Sequence, residues 1–135
     1  MRVRDLMTRS AFTVREDRNL IVVDEIMSWA RIRHVPVVDA QNRLVGLISH
    51  QDLLRASISS VETRIGNVER RQHEWTIPVQ KVMRTRVHTI EPDESVQEAA
   101  RCMHRVKIGC LPVVSEDKLV GIITEHDLLW LVEEM

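Results

Sequence analysis

The chain repeats itself. Val3 to Met7 is echoed by Val79 to Met83, Thr13 by Thr89, Asp17 by Asp93, Met27 by Met103 and Pro36-Val37-Val38 by Pro112-Val113-Val114, all at an offset of 76 residues. The offset then drops to 75, where Leu44-Val45-Gly46 matches Leu119-Val120-Gly121 and Asp52-Leu53-Leu54 matches Asp127-Leu128-Leu129. A duplication on this scale dictates the architecture, because two similar small units must each form one local structure. The single deletion falls where a turn between paired strands tolerates it. The boundaries that follow are a first copy over residues 1–60, a helical extension and linker over 61–78, and a second copy over 79–135.

Each copy carries the same alternation of periodicities. A short extended piece, Ala11 to Val14 or Val87 to Ile90, precedes Asp17 or Asp93, which are plausible helix N-caps. Leu20, Val23, Ile26, Met27 and Ala30, like Val96, Ala99, Ala100 and Met103, recur at three- and four-residue spacing and share one helical face. The two runs Val35 to Asp39 and Leu44 to Ile48, and their counterparts Leu111 to Val114 and Leu119 to Ile123, read as antiparallel hairpins. The proline of each hairpin is expected at a strand start, where a missing N–H costs least. Ser49-His50-Gln51-Asp52 and Thr124-Glu125-His126-Asp127 then open a second helix with a capping-box pattern. Each copy is therefore βαββα, and the fold class is α/β (α+β).

Composition narrows the function. Aromatic residues make up 3% of the chain and hydrophobic residues 44%, so the core must be built from branched aliphatics and methionine. Net charge is −1 with both signs interspersed, which gives no sustained field for nucleic acid or anionic lipid. No run of eighteen uncharged apolar residues exists and the amino terminus is charged, so a cytoplasmic protein without a membrane segment is expected. Cys102 and Cys110 lack the spacing of a zinc or redox pair and read as reduced thiols. The six histidines do not repeat at equivalent positions, and no metal site is expected. No nucleophile elbow, phosphate-cradling glycine loop or paired Cys and His is present, which argues against an enzyme. Residues 1–56 carry 9 Lys/Arg against 7 Asp/Glu and residues 79–135 carry 7 against 10, so the first copy is the favoured host for an anion.

The order and duplication of Asp5-Leu6-Met7-Thr8, Val37-Val38-Asp39 and Leu44-Val45-Gly46-Leu47-Ile48-Ser49 with Asp52 resemble the CBS domain. The resemblance spans nearly the whole chain outside the linker. It implies two βαββα repeats packed sheet to sheet with pseudo-two-fold symmetry, and two clefts at their junction that sense AMP, ADP, ATP or S-adenosylmethionine. No cofactor is required. Partners implied are a homodimer through the repeat helices and a separate effector protein.

The resemblance also assigns candidate roles. Asp52 and Asp127 would accept hydrogen bonds from both ribose hydroxyls, with Ser49 and Thr124 on the sugar or phosphate. A carboxylate suits a vicinal diol, and a hydroxyl at a helix start lies beside free N–H groups. The same pairs are also ordinary helix caps, and the sequence leaves both roles open. Arg33 and His34, with Arg31 nearby, stand ahead of Val35-Pro36 where basic residues would reach a phosphate. A solvated turn is the alternative. Their counterparts in the second copy are Gly109 and Cys110, so the two sites should differ, although Lys107 could compensate. Thr13-Val14 with Pro36, and Thr89-Ile90 with Pro112, would flank the adenine or serve as core strand residues. Gly46 and Gly121 are expected to mark a bend or a close approach of chain segments. Trp75, Trp130, Leu54 and Leu129 are candidates for a partner surface. A ligand-free dimerisation module is the competing reading.

Overall fold

The computed structural model describes residues 1–59 and 76–135, with side chains described through residue 56 and again from 76. Most of the 61–78 linker, with Trp75 and His73, lies outside the described residues. The chain is mixed α+β and divides into two compact units, Phe12–Val87 and a second formed by Met1–Ala11 with His88–Met135. The units cut across the sequence repeat. The opening segment of each copy is built into the unit that holds the hairpin of the other.

In the Phe12–Val87 unit, β1 (Val14–Arg15) is followed by α2 (Leu20–Ala30), β2 (His34–Val38), β3 (Leu44–Ser49) and α3 (His50–Ser59). The sheet order is β1-β2-β3, with β1 parallel to β2 through Val14 and Val37 and β3 antiparallel to β2. Leu20, Val23 and Met27, the apolar stripe of α2, close over Val35, Val37 and Ile48 of the sheet, with Leu53 and Val79 completing the core. The other unit begins with α1 (Val3–Leu6) and continues with α4 (Val96–Val106), β4 (Cys110–Ser115), β5 (Lys118–Thr124) and α5 (Glu125–Glu133). Its core repeats the recipe with Val3, Met7, Ile90, Ala99, Met103, Leu111, Val113 and Ile123. Ile90 pairs in parallel with Val113, as Val14 does with Val37.

The docked opening segments explain three features. Helices α2 and α4 start after Asn19 and Ser95, not after Asp17 and Asp93. The N–H of Leu20 donates to the Ile77 carbonyl and that of Val96 to the Met1 carbonyl, so backbone from the docked segment satisfies the helix start without an aspartate cap. Asp93 instead pairs with Arg2 and Arg4. The outer edges of the hairpins are covered in the same way: Leu47 and Arg84 exchange two backbone hydrogen bonds of 2.8 and 2.9 Å, and Thr8 and Ile122 exchange two of 2.8 and 3.0 Å. Gly46 and Gly121 mark this close approach. A Cβ on Gly46 would stand 3.0 Å from the Arg84 carbonyl oxygen, and one on Gly121 would stand 2.8 Å from that of Thr8.

Pro36 and Pro112 are fully buried in the third position of their strands, inside the strand and not at its start. The Pro112 carbonyl accepts from Ile90, so the ring nitrogen faces that same side, next to the end of the short parallel pairing, where no ladder bond is lost. The 75-residue offset also has a structural cause. Glu116 and Asp117 form a two-residue turn with positive φ at both positions, as a type I′ hairpin requires. The first copy uses a longer loop, closed by Gln41 and Arg43 N–H groups donating to Asp39 Oδ1.

Candidate functional site

Both helix starts that follow the hairpins fold as capping boxes. In the first copy the Asp52 N–H donates to Ser49 Oγ at 3.1 Å while the Ser49 N–H donates to Asp52 Oδ2 at 3.1 Å. In the second, the Asp127 N–H donates to Thr124 Oγ1 at 3.3 Å and the Thr124 N–H to Asp127 Oδ2 at 2.9 Å. The reciprocal bonds satisfy two N–H groups that a helix start otherwise leaves open. They also fix each carboxylate at the end of a hairpin.

The strand register gathers further candidates at that end. His34 lies opposite Ser49 and Cys110 opposite Thr124. Pairing of Val14 with Val37 and of Ile90 with Val113 puts Thr13 beside Pro36 and Thr89 beside Pro112, one register position back. Val14, Ile90, Pro36, Pro112 and Cys110 are buried, whereas Thr13 is half-buried and Thr89 exposed. Burial pushes the Cys110 thiol up to about 12, so it stays a neutral, small apolar group.

The two acids differ sharply in their surroundings. Asp52 is 8% exposed, and Arg84 grips it: Nη2 donates to Oδ1 at 3.0 Å and Nε approaches both oxygens at 3.2 Å. Arg55 adds a longer contact of 3.7 Å. Burial pushes the Asp52 carboxyl up, but the bonds from Arg84 and Ser49 outweigh it and hold the group below its ordinary value. Arg84 is raised in turn, chiefly by its hydrogen bonds to Asp52. Asp127 is half-buried and makes no ion pair among the described residues, and no donor there reaches its Oδ1. Arg84 was not among the residues singled out from the sequence. The signal was present, since the offset of 76 sets it against Thr8 directly after the matched Met7 and Met83.

Arg33 lines a pocket of about 260 Å³ together with Met27, Ser28, Arg31, Ile32 and His50. His34 is not part of this lining. The His50 N–H donates to the Arg33 carbonyl at 2.8 Å, tying the start of α3 to the start of β2. Arg31 ends α2 in the left-handed region, φ 56°, and Lys107 ends α4 there at φ 61°. The pocket can accept an anion through two guanidinium groups and an imidazole. Sequence reasoning missed Ser28 and His50 as companions of the two arginines. Among the described residues no three His, Cys, Asp or Glu side chains cluster as metal ligands, and no helix is long and apolar enough to cross a membrane.

Known proteins share this fold. A solved Vibrio cholerae protein, provisionally assigned to acetoin utilization, is 37% identical and covers 99% of this chain and 91% of its own, with a TM-score of 0.85. The CBS domain pair of protein MJ0100, solved with 5′-methylthioadenosine and S-adenosyl-L-methionine, is 25% identical over 98% of this chain and 99% of its own, with a TM-score of 0.81. A homoserine O-acetyltransferase of Methanohalobium evestigatum is 29% identical over 98% of this chain, which spans 24% of that relative's length. The family model for the CBS domain matches twice, over residues 3–59 and 79–134, and the chain is accordingly a member of the CBS-domain family with two copies of the domain.

Proposed function

We propose that the chain is a regulatory module that binds an adenine nucleotide or another adenosyl compound, and that it catalyses no reaction of its own. The observation that carries this reading is the repeated Ser/Thr–Asp pair, folded twice at the head of a helix, with one oxygen of Asp127 that no donor among the described residues reaches. A ribose diol offers two such donors. Ser49 and Asp52 would hold the sugar in the first copy, and Thr124 and Asp127 in the second. Thr13, Val14 and Pro36, and likewise Thr89, Ile90 and Pro112, would flank the base. Arg33 and His34, with Arg31, would meet a phosphate in the first copy, while Cys110 gives the second no charge at the position of His34. The adenosyl ligands of the MJ0100 domain pair support this choice of ligand class.

The output of such a module passes to other chains in the cytoplasm, either by homodimerisation through the repeat helices or through a separate effector protein. Leu129, Trp130 and Val132 on α5 are 65%, 50% and 64% exposed, which supports a protein contact there. The same exposure favours a second reading, a dimerisation module that needs no ligand.

Isothermal titration against AMP, ADP, ATP and S-adenosylmethionine separates the two. Saturable binding that Asp127→Ala weakens by tenfold or more supports the ligand-binding module. At a hundredfold excess over the dissociation constant, ligand would also stabilise the fold by about 2.7 kcal/mol, visible as a raised melting temperature. Absence of binding and of any melting shift across the panel would leave only the dimerisation module.

A further inference from the structure

The guanidinium of Arg84 occupies the carboxylate that the first copy would offer to a diol. Its main chain cannot drift away, because both its N–H and its carbonyl are bonded to Leu47. Its side chain is 60% exposed while Asp52 is 8% exposed, so the acid is committed and the base is the partner able to swing. The second copy places Thr8 in the corresponding backbone position, bonded to Ile122, and a threonine carries no cation to offer Asp127. Among the described residues the two copies therefore present the same capping box in two states, one with the carboxylate paired and one with it open.

Resting on the adenosyl-binding reading above, we propose that Arg84 makes the first copy selective for a ligand that carries both a vicinal diol and a negative charge. Binding there is an exchange. The diol takes the Asp52 oxygens, and the displaced Arg84, still anchored at Leu47, pairs with the phosphate of the incoming ligand. A neutral nucleoside would break a charge-assisted fork without supplying a new anion, and a cationic adenosyl compound would add repulsion. Among the described residues the second copy has no such pair to break, and it discriminates less between charged and uncharged adenosyl compounds.

Isothermal titration of the full chain with AMP and with adenosine tests this. Asp127→Asn first weakens the second copy, leaving the first to be read. In that background AMP should bind at least tenfold more tightly than adenosine. Adding Arg84→Thr, the residue the other copy carries at this place, should bring the two affinities within about threefold by strengthening adenosine and weakening AMP. Arg84→Gln gives the same reading should the threonine variant fold poorly. An AMP-to-adenosine ratio that both substitutions leave unchanged overturns the proposal, even where AMP binds the wild-type chain and the general reading stands. No binding of either compound to any of these chains overturns both.

Discussion

Arg31 and Lys107 hold the same left-handed backbone position, each as the C-cap residue directly after α2 or α4, at φ 56° and φ 61°. In both places the following N–H, of Ile32 or Ile108, reaches back to the carbonyl of Met27 or Met103. Glycine takes this conformation without strain, whereas a side chain with a Cβ costs on the order of 1 kcal/mol. A long basic residue has been kept at this point in both copies.

Lys107→Gly should accordingly raise stability by about 0.5–1 kcal/mol, seen as a higher urea midpoint at unchanged slope. Arg31→Gly should stabilise by a similar amount and also remove one guanidinium from the pocket shared with Arg33 and His50. Its affinity for inorganic phosphate, measured by titration, should fall below that of the wild type. A loss of stability in both variants would contradict the strain argument.

Gly121→Ala should destabilise by about 2–3 kcal/mol, because the new methyl meets the Thr8 backbone oxygen at 2.8 Å and the edge segment must retreat. Gly46→Ala should cost less, about 1–2 kcal/mol, since its nearest neighbour is the flexible Met83 side chain and the backbone oxygen of Arg84 lies at 3.0 Å. Parallel denaturant curves for the two variants check the order.

The Asp52–Arg84 pair should make the fold acid-sensitive in a defined direction. Asp52 is held below its ordinary value in the folded chain, so its stabilising effect is complete above that value and disappears as pH falls through the folded one. With Arg84 largely in solvent, the effect is modest, about 1 kcal/mol. Urea unfolding of the wild type and Arg84→Thr at pH 6 should differ by this amount, and the gap should close as the pH is taken below the ordinary carboxyl value of 3.8 and through the lower folded one. A constant gap across that range would rule out the ion pair as the source.

Cys110 should give the opposite dependence. Its folded thiol is pushed up to about 12 by burial, so above the ordinary thiol value the unfolded chain ionises and the folded chain does not. Stability should decline by roughly 1.4 kcal/mol per pH unit between about pH 9 and 12 on this account, and the decline should be absent in Cys110→Ala. In the native protein iodoacetamide should modify half-buried Cys102 well before buried Cys110. Equal labelling rates, followed by mass spectrometry, would show that the strand end opens readily.

The repeat, the hairpins and the stripes of both first helices were legible because they rest on local periodicity: Leu20, Val23 and Met27 face inward as their spacing requires. The capping boxes at Ser49–Asp52 and Thr124–Asp127 were legible for the same reason, being contained within four residues. What escaped was settled by contacts between distant segments. Asp17 looked like a cap, yet the helix start is served by the Ile77 carbonyl, almost sixty residues away. Arg84 reaches an acid 32 positions earlier only because its segment lies along the edge of β3. Pro36 reads as a strand start because periodicity reveals that a strand exists, not where its neighbour's pairing stops.

The crosswise assembly of the two units limits how this chain can be divided. Splitting the gene between the copies would produce two fragments, each missing the strip that shields its hairpin and carrying a strip belonging to its sibling. Such halves would be sticky toward each other and toward themselves, so co-expressed fragments should reassemble where single ones precipitate. A re-ordered gene that starts at Phe12 and joins Met135 to Met1 would instead keep Phe12–Val87 as one uninterrupted stretch and gather the remaining pieces into another.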